Sequence, residues 1–586
     1  MRSIACIGTP SDRWLSALRK QGAVEWVSAG EEQDAEFFRR SSMCVLIASD
    51  VSAAVRRRIV TGLALESTST VALLIDERSR EEDLCCRTGE HVPVVSAALS
   101  LDDEAGGRVF LSGDASGSEG AASVFRRMSL RPVYCGTNAE HARLISWIEH
   151  ALCGISRMVI TEAVGMALRA RLPIDLAASV IGRSSAHSWQ AERFFDELLK
   201  REGGKARQPE SVATMLGNLV DIALPLGLPL PLISSAMSLL SLQPPRSADD
   251  EQCVIDPFSN YERMVGLQRD RVVTGALHDC ARDDPPPPPV IGYVGLGAMG
   301  SALATQALQV GRELHVFDPD VAKVERLTEK GARAAADVAS LAAVCDLVFL
   351  CVPSAKEVEH ILFGPGGMYG ALAHGAIVID QTTCSPADTV RFGERLAAAG
   401  VAMVDAPVTG GPDGARNGSL VTMCGGTRAA FSRVRPVLEA MGGEVVYFGP
   451  PGSGQAIKLV KNALAAANRL MIYEVLSLAA AFGIPIKTLR AALSTGPSAS
   501  GALDRIVTSI VTGAPTADAS LGTVVKDQQL IACMGRMTST PLPLLNIART
   551  VLESGSRILG PQALVDELGR LYGIESFKES RNHEET

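Results

Sequence analysis

The sequence predicts an α/β fold in which a doubly wound parallel sheet is followed by an all-helical domain, with this unit present twice. Three observations predict this fold. A glycine-rich loop joins a short apolar strand to a helix just after residue 290, and further strand-like runs alternate with helical patterns behind it. An apolar segment without proline or glycine extends from Gln455 to Phe482. Patterns in the first half repeat those of the second in the same order.

Composition limits the functions that the chain can have. It has 586 residues, of which 47% are apolar and 4% aromatic, and a net charge of −9. Nucleic acids and anionic membranes are therefore not expected partners, because both are held by basic surfaces. The 13 cysteines show no CxxC spacing, and no apolar leader follows Met1, which predicts reduced thiols and a cytoplasmic protein. Prolines interrupt the apolar run 224–242, so no transmembrane helix is predicted there.

The glycine-rich loop has the context of a dinucleotide-binding site. Val290 to Val294 is predicted as a buried strand, and Gly295-Leu296-Gly297-Ala298-Met299-Gly300 opens a helix. In such a loop the first glycine permits the tight turn, the second lets the backbone approach a pyrophosphate, and the third lets helix pack on strand. Asp318 ends the next predicted strand, where a carboxylate binds the ribose hydroxyls of NAD and repels the 2′-phosphate of NADP. The cofactor predicted is NAD, with NADP disfavoured.

Further strands and helices complete the predicted sheet. The strands are 347–352, 376–380 and 401–405, and the helices are 356–363 and 386–399. A ligand of such a sheet lies at the carboxyl ends of the strands, where the chain carries Val352, Pro353 and Thr383. The turn Thr409-Gly410-Gly411 follows another strand end, and it is either a nest of backbone N–H groups for a carboxylate or an ordinary glycine turn.

The long apolar segment predicts one buried helix that ends at Gly483 and Pro485. Lys458 and Asn462 lie four residues apart and share a face near its start. Burial lowers a lysine pKa towards the range useful for proton transfer, so Lys458 is either a working group or a lysine that reaches solvent from a helix end. Lys526-Asp527 falls on a later helix and, from the residues alone, reads as a solvated charge pair.

Residues 290 to about 575 resemble the β-hydroxyacid dehydrogenase family, which includes 3-hydroxyisobutyrate and threonate dehydrogenases. Four motifs match in order: the loop 295–300; Asp405 to Gly411 with Asn417-Gly418; Gly452-Ser453-Gly454 with Lys458 and Asn462; and Lys526-Asp527. The resemblance implies a Rossmann domain, a long interdomain helix and an all-helical domain that builds the dimer in relatives. It also implies a small hydroxy acid as substrate.

The resemblance assigns roles to single residues. Lys458 matches the catalytic lysine, and Asn462 matches the asparagine that orients the substrate. Thr409, Gly410 and Gly411 match the carboxylate pocket, and Lys526 matches a residue that closes on cofactor and substrate. Two positions depart from the usual pattern: the family usually has serine at Thr409 and often asparagine or histidine at Lys461. A second cation three residues from Lys458 is expected to lower its pKa further or to alter the choice of substrate.

These roles predict an NAD-dependent 3-hydroxyacid dehydrogenase in which Lys458 transfers the hydroxyl proton as hydride leaves. No histidine has metal-ligand spacing, so no metal is predicted and zinc-dependent or histidine-based schemes lose support. A decarboxylating phosphogluconate enzyme is expected to have histidine at Lys461, and imine reductases usually replace the lysine at Lys458. The alternative hypothesis is a non-catalytic dinucleotide-binding sensor or scaffold.

The first half is predicted to be a degenerate copy of the second. From the long helix onward, the matching segments are separated by 312 residues. The residues expected for chemistry are replaced in the first half by Pro10, Arg13, Asp102, Asp103, Ser146, His150, Thr214 and Met215. The predicted domains are 1–140 (degenerate Rossmann-like), 141–280 (all-α), a proline-rich linker 281–289, 290–453 (Rossmann) and 454–586 (all-α). The two halves are expected to pack as an intramolecular pseudo-dimer, with further homo-oligomerisation left open; the bland alternative is an unrelated accessory domain.

Overall fold

The structure is a computed structural model of the chain. It describes residues 4–7, 26–29, 44–47, 71–74, 94–99, 108–113, 118–119, 122, 125–126, 131–138, 140–200, 209–242, 257–275, 289–311, 313–517 and 519–574. Pro10, Arg13, Asp102, Asp103 and residues 281–288 of the proline-rich linker lie outside the described residues. The interpretations given above for these positions therefore stay predictions.

The described part of the first half contains a seven-stranded sheet. Its strands are β1 (Ile4–Ile7), β2 (Trp26–Ala29), β3 (Cys44–Ile47), β4 (Val71–Leu74), β5 (Val94–Leu99), β6 (Arg108–Gly113) and β7 (Arg131–Tyr134). Their order in the sheet is β2-β1-β3-β4-β5-β6-β7. The first five are parallel, β6 runs antiparallel to β5, and β7 runs parallel to β6. Six helices follow: α1 (His141–Arg169), α2 (Ile174–Gly182), α3 (Trp189–Leu199), α4 (Pro209–Ala223), α5 (Pro231–Leu240) and α6 (Pro257–Val265).

The second half begins with a nine-stranded sheet of the same plan. Its strands are β8 (Val290–Val294), β9 (Glu313–Phe317), β10 (Arg333–Ala334), β11 (Leu347–Leu350), β12 (Ile377–Asp380), β13 (Ala402–Asp405), β14 (Val408–Thr409), β15 (Val421–Gly426) and β16 (Glu444–Gly449). The central order β9-β8-β11-β12-β13-β15 continues to β16 and matches that of the first sheet. The helices of this domain are α7 (Ala298–Ala307), α8 (Val321–Thr328), α9 (Val338–Ala342), α10 (Ala355–Phe363), α11 (Pro386–Ala397), α12 (Gly411–Arg416) and α13 (Arg428–Ala440).

The predicted fold class is confirmed, with one correction to the sheet. The strand β15 runs antiparallel to β13 and β14, so the sheet is not parallel throughout. Every residue of β15 is buried. A strand buried on both faces shows no alternation of apolar and polar residues, and two glycines end this one, so the sequence gave little sign of it.

The long helix is present as predicted. It is α14 (Ser453–Ala481), with Gly452 in a left-handed conformation before it, and Gly483 with φ of 69° ends it. At about 1.5 Å per residue the helix is roughly 43 Å long. It packs on β15 and β16 at its start and against α1 along its length. Four further helices complete the domain: α15 (Ile486–Leu493), α16 (Gly501–Thr512), α17 (Leu521–Met537) and α18 (Pro543–Leu559).

The helices of the two halves share one apolar core, which includes residues of α1 and α14. Two buried carboxylates cross between the halves. Glu162 accepts hydrogen bonds from the backbone N–H groups of Leu544 and Leu545, and Glu474 accepts them from those of Leu232 and Ile233. Each residue of the first set has its counterpart 312 residues away in the second. Reciprocal contacts of this kind are the signature of a two-fold relation.

Two described helices, α1 and α14, are long and apolar enough to cross a membrane, and their apolar windows are 100% and 83% buried inside the protein. Buried core helices of soluble proteins meet the same criterion. The finding therefore carries little weight for a membrane location.

Candidate active site

The glycine-rich loop lies between β8 and α7, and its glycines differ in what they contact. A side chain at Gly295, whose φ is +91°, would put its first carbon 2.3 Å from the carbonyl oxygen of Cys351. One at Gly300 would lie 2.0 Å from the carbonyl oxygen of Gly295. At Gly297 no atom lies within 4 Å. The first and third glycines are thus required by packing, while the second faces open space that a pyrophosphate can approach.

Asp318 follows β9 and reaches the same loop. Its Oδ2 accepts a hydrogen bond of 2.7 Å from the N–H of Leu296, and its Oδ1 accepts one of 2.9 Å from the N–H of Asp320. The ammonium of Lys323 lies 3.6 Å from Oδ1. The carboxylate is therefore held against the loop on which a dinucleotide would lie. The nearby lysine is the only feature of this corner that favours a phosphate.

The loops after β11 and β12 lie beside each other on the same edge of the sheet. The N–H of Val352 donates to the hydroxyl of Thr382 at 3.1 Å, and Pro353 follows on the surface. Lys526, from α17 of the helical domain, donates to the carbonyl oxygen of Thr383 at 3.1 Å. Lys526 is therefore not a solvated surface residue, and it links the helical domain to the loop predicted to bind the cofactor.

The turn Thr409-Gly410-Gly411 lies next to the long helix. Thr409 is buried, and the two glycines are exposed with φ of +128° and +70°. Lys458 donates from Nζ to the carbonyl oxygen of Val408 at 2.7 Å, directly before the turn. The structure thus places the lysine on α14 beside the turn that was read as a carboxylate pocket.

Asn462 lies one turn further along α14 and is fixed by Asp527. Its Nδ2 donates to Oδ2 of Asp527 at 2.7 Å. The other oxygen of Asp527 lies 3.2 Å from Nζ of Lys526. The two sequence motifs on α14 and α17 thus meet through one buried carboxylate.

Two residues that the sequence analysis left without a role hold this arrangement in place. Asp405 is fully buried and accepts hydrogen bonds from the N–H groups of Gly452 (2.8 Å) and Gln455 (2.9 Å) at the start of α14. Burial raises its pKa to about 6, while these hydrogen bonds oppose the shift. The side chain of Gln455 accepts from the N–H of Cys384 (3.0 Å) and donates to the carbonyl oxygen of Thr382 (2.6 Å).

Asp405 and Gln455 therefore tie the start of the long helix to the strand ends of the sheet. Both residues belong to motifs that were recognised in the sequence. A carboxylate or amide directly before or inside a glycine-rich helix start is the signal that could have identified them, because such groups satisfy free N–H groups at helix ends.

Burial sets the electrostatics of the lysines. Burial lowers the pKa of Lys458, Lys526 adds to this shift, and Asp527 opposes it. Lys461 is only 6% exposed, and burial together with Lys458 and Arg505 holds its pKa well below the ordinary value. A lysine with a lowered pKa can exist in the neutral form that accepts a proton. In the described part of the chain no group of three or more His, Cys, Asp or Glu residues could hold a metal ion.

The first long helix lacks this set of residues. The residues 312 positions before Lys458, Lys461 and Asn462 are Ser146, Glu149 and His150. Nδ1 of His150 lies 2.7 Å from the backbone carbonyl oxygen of Ser146 in the preceding turn. Glu149 is fully buried and forms an ion pair with Arg108 of β6. The polar residues of this helix are thus engaged within the protein interior.

The chain is similar to known oxidoreductases. Residues 290–449 match the family model described as the NAD binding domain of 6-phosphogluconate dehydrogenase. Residues 452–572 match the one described as NAD-binding of NADP-dependent 3-hydroxyisobutyrate dehydrogenase.

Curated proteins and a solved structure are also similar. The 2-(hydroxymethyl)glutarate dehydrogenase of Eubacterium barkeri is 32% identical over 266 residues, which are 45% of this chain and 88% of that protein. The L-threonate dehydrogenase of Escherichia coli strain K12 is 32% identical over 268 residues, 45% of this chain and 89% of that protein. The crystal structure of 3-hydroxyisobutyrate dehydrogenase from Salmonella typhimurium has 30% identity and a TM-score of 0.44, and the match covers 48% of this chain and 98% of that one.

Proposed function

Since this chain belongs to the β-hydroxyacid dehydrogenase family and is an NAD(P)-dependent oxidoreductase acting on CH–OH groups, we propose that it oxidises a small 3-hydroxy acid with NAD. Lys458 is the general acid and base of this reaction. The observation that carries the proposal is the 2.7 Å hydrogen bond from Lys458 to Val408, beside the Thr409-Gly410-Gly411 turn. The matched relatives named for hydroxymethylglutarate and threonate support a hydroxy acid substrate.

The residues divide the work as follows. The N–H groups of the Thr409-Gly410-Gly411 turn bind the substrate carboxylate, because a turn with two glycines at positive φ exposes its backbone donors. Lys458 in its neutral form accepts the hydroxyl proton during oxidation and returns it during reduction. Asn462, oriented by Asp527, donates to the reacting oxygen.

The loop 295–300 and Asp318 fit a dinucleotide, because Gly297 faces open space at the start of α7 while Asp318 lies against the loop. Val352, Pro353 and Thr383 extend this surface along the strand ends, and Lys526 closes on it from the helical domain. Bound NAD supplies the acceptor for the hydride from the carbon that carries the hydroxyl. We propose NAD rather than NADP because Asp318 would repel a 2′-phosphate more strongly than Lys323 would attract it.

We also propose that the two halves are a tandem pair in which only the second is catalytic. The matching strand orders, the shared apolar core and the reciprocal contacts of Glu162 and Glu474 support this pairing. In this arrangement the first half covers an apolar surface of the second half within one cytoplasmic chain. Selection for packing alone would preserve α1 while its catalytic positions drift.

Turnover by the purified full-length protein tests the proposed function. With NAD, 3-hydroxypropionate and larger 3-hydroxy acids should produce NADH, while lactate, the isomer with its hydroxyl on C2, should not. The ratio kcat/KM should favour NAD over NADP by about tenfold or more. A preference for lactate would overturn the substrate class, and a preference for NADP would overturn the role given to Asp318. NAD binding without turnover on any hydroxy acid would favour the non-catalytic alternative.

A further inference from the structure

Lys461 is a buried cation without a counter-ion. Its side chain lies next to Lys458 and Asn462 on α14 and is 6% exposed. Its Nζ donates to the amide oxygen of Asn462 at 3.2 Å. Among the described residues, no carboxylate oxygen lies within 4 Å of this Nζ, since no ion pair of Lys461 is found there. A buried ammonium in this position is costly unless something pairs with it.

The surroundings of Lys461 carry an excess of positive charge. Lys458 and Arg505 both lower its pKa after burial, and Asp527 alone opposes them. That carboxylate is already engaged by Asn462 and by Lys526. One carboxylate thus serves several cations, so the site is poised to receive an anion.

The equivalent position of the first half shows what a structural charge looks like in this fold. Glu149, 312 residues before Lys461, forms an ion pair with Arg108, and both side chains are at most 2% exposed. Arg108 also donates to the carbonyl oxygen of Ala492 at 2.7 Å. A charge that serves packing is therefore matched by a partner from the protein itself. Lys461 lacks such a partner, which points to a ligand.

We propose that Lys461 binds a second carboxylate of the substrate, so that the substrate is a dicarboxylic 3-hydroxy acid. This inference rests on the proposed function for the position of the first carboxylate, at Thr409-Gly410-Gly411, and of the hydroxyl, at Lys458. Lys461 lies about 4.5 Å further along the helix axis than Lys458. A distal carboxylate separated from the first by two or three carbons matches this spacing.

Binding of substrate analogues tests the proposal without any turnover. The full-length protein is saturated with NADH, and calorimetry compares glutarate with its monoamide glutaramate, and succinate with succinamate. Each pair has the same shape and differs by one charge. The dicarboxylate should bind about 10- to 100-fold more tightly than the monoamide. In Lys461→Gln the ratio should fall to about one with the affinity for the monoamide unchanged.

Two controls make the result specific. Lys461→Arg keeps the charge and should retain the preference, which separates lost charge from lost folding. Lys330→Gln removes one exposed lysine of the Rossmann domain and changes the net charge equally, and its ratio should stay that of the wild type. Equal affinities of dicarboxylate and monoamide in the wild type, or a preference that survives Lys461→Gln, would overturn the proposal. A preserved preference in a protein that oxidises no hydroxy acid would sink the proposed function alone.

Discussion

The two long helices, α1 and α14, show how one architecture is used for packing in one half and for chemistry in the other. Both have 29 residues and begin 312 residues apart. In α1 the polar side chains bond inward, as Glu149 does with Arg108. In α14 Lys458 reaches the Thr409 turn, and Lys461 has no carboxylate partner among the described residues.

The difference teaches that burial alone does not identify a functional residue. Both helices bury polar and charged groups, and the apolar core that joins them is continuous. What differs is whether each buried group is satisfied by the protein, because unsatisfied buried groups are costly and are kept where a ligand completes them. Experiments that exchange equivalent positions of the two helices test this distinction.

The largest effect is expected at Lys458. Lys458→Met removes the proposed proton-transfer group and should lower kcat by about 10²–10⁴-fold, while NAD binding stays nearly unchanged. The matched variant is Ser146→Ala, at the equivalent position of α1, and it should leave kcat unchanged. Steady-state kinetics and NAD titration check both. Equal turnover by the wild type and Lys458→Met would remove this lysine from the mechanism.

The second effect is on stability, and it should have opposite signs in the two helices. Glu149→Gln leaves the charge of Arg108 buried without its carboxylate and should destabilise the protein by about 3–5 kcal/mol. Lys461→Gln removes a cation that has no ion-pair partner, so the ligand-free protein should be as stable as the wild type or more stable. Denaturant midpoints of the ligand-free proteins measure both. A large loss of stability in Lys461→Gln would mean that this lysine serves packing after all.

Much of this arrangement was predictable from the sequence. The glycine loop, Asp318 and the long helix follow from local patterns, because strand, turn and helix periods are written in consecutive residues. The position of Lys458 beside the Thr409 turn was implied by the family resemblance. The bond that shows it joins residues 50 apart in the sequence.

Other features depend on contacts that no local pattern encodes. The role of Lys526 was misread from the residues alone because its partner, Thr383, lies 143 residues away. The bridging role of Asp527 and the antiparallel β15 were missed for the same reason, since a buried run or a charge pair looks alike in many settings. The missing counter-ion of Lys461 is a property of the packed site, so it could be seen only in the structure.

The smallest effect is expected where the halves are most alike, at the two carboxylates that cross between them. Burial raises the pKa of Glu162 to about 7 and that of Glu474 to about 8, above the ordinary value of 4.5, and the backbone hydrogen bonds oppose the shift. A carboxyl whose pKa is raised by folding binds its proton more tightly in the folded state. The free energy of unfolding should therefore fall as the pH rises from about 4.5 through 8.

Glu474→Gln should flatten the upper part of this decline, and Glu162→Gln the lower part, because glutamine fills the site without titrating. Thermal denaturation across the pH range measures the slopes, and Glu329→Gln, which changes an exposed glutamate, controls for net charge. The change in each melting temperature should amount to a few degrees, since about 1 kcal/mol moves the midpoint of a domain of this size by roughly 2–4 °C. The tyrosine hydroxyl of Tyr261 bonds Glu162, so the shift at Glu162 should be the smaller of the two. Wild-type and variant curves that stay parallel at every pH would show that these carboxylates are not buried between paired halves in solution.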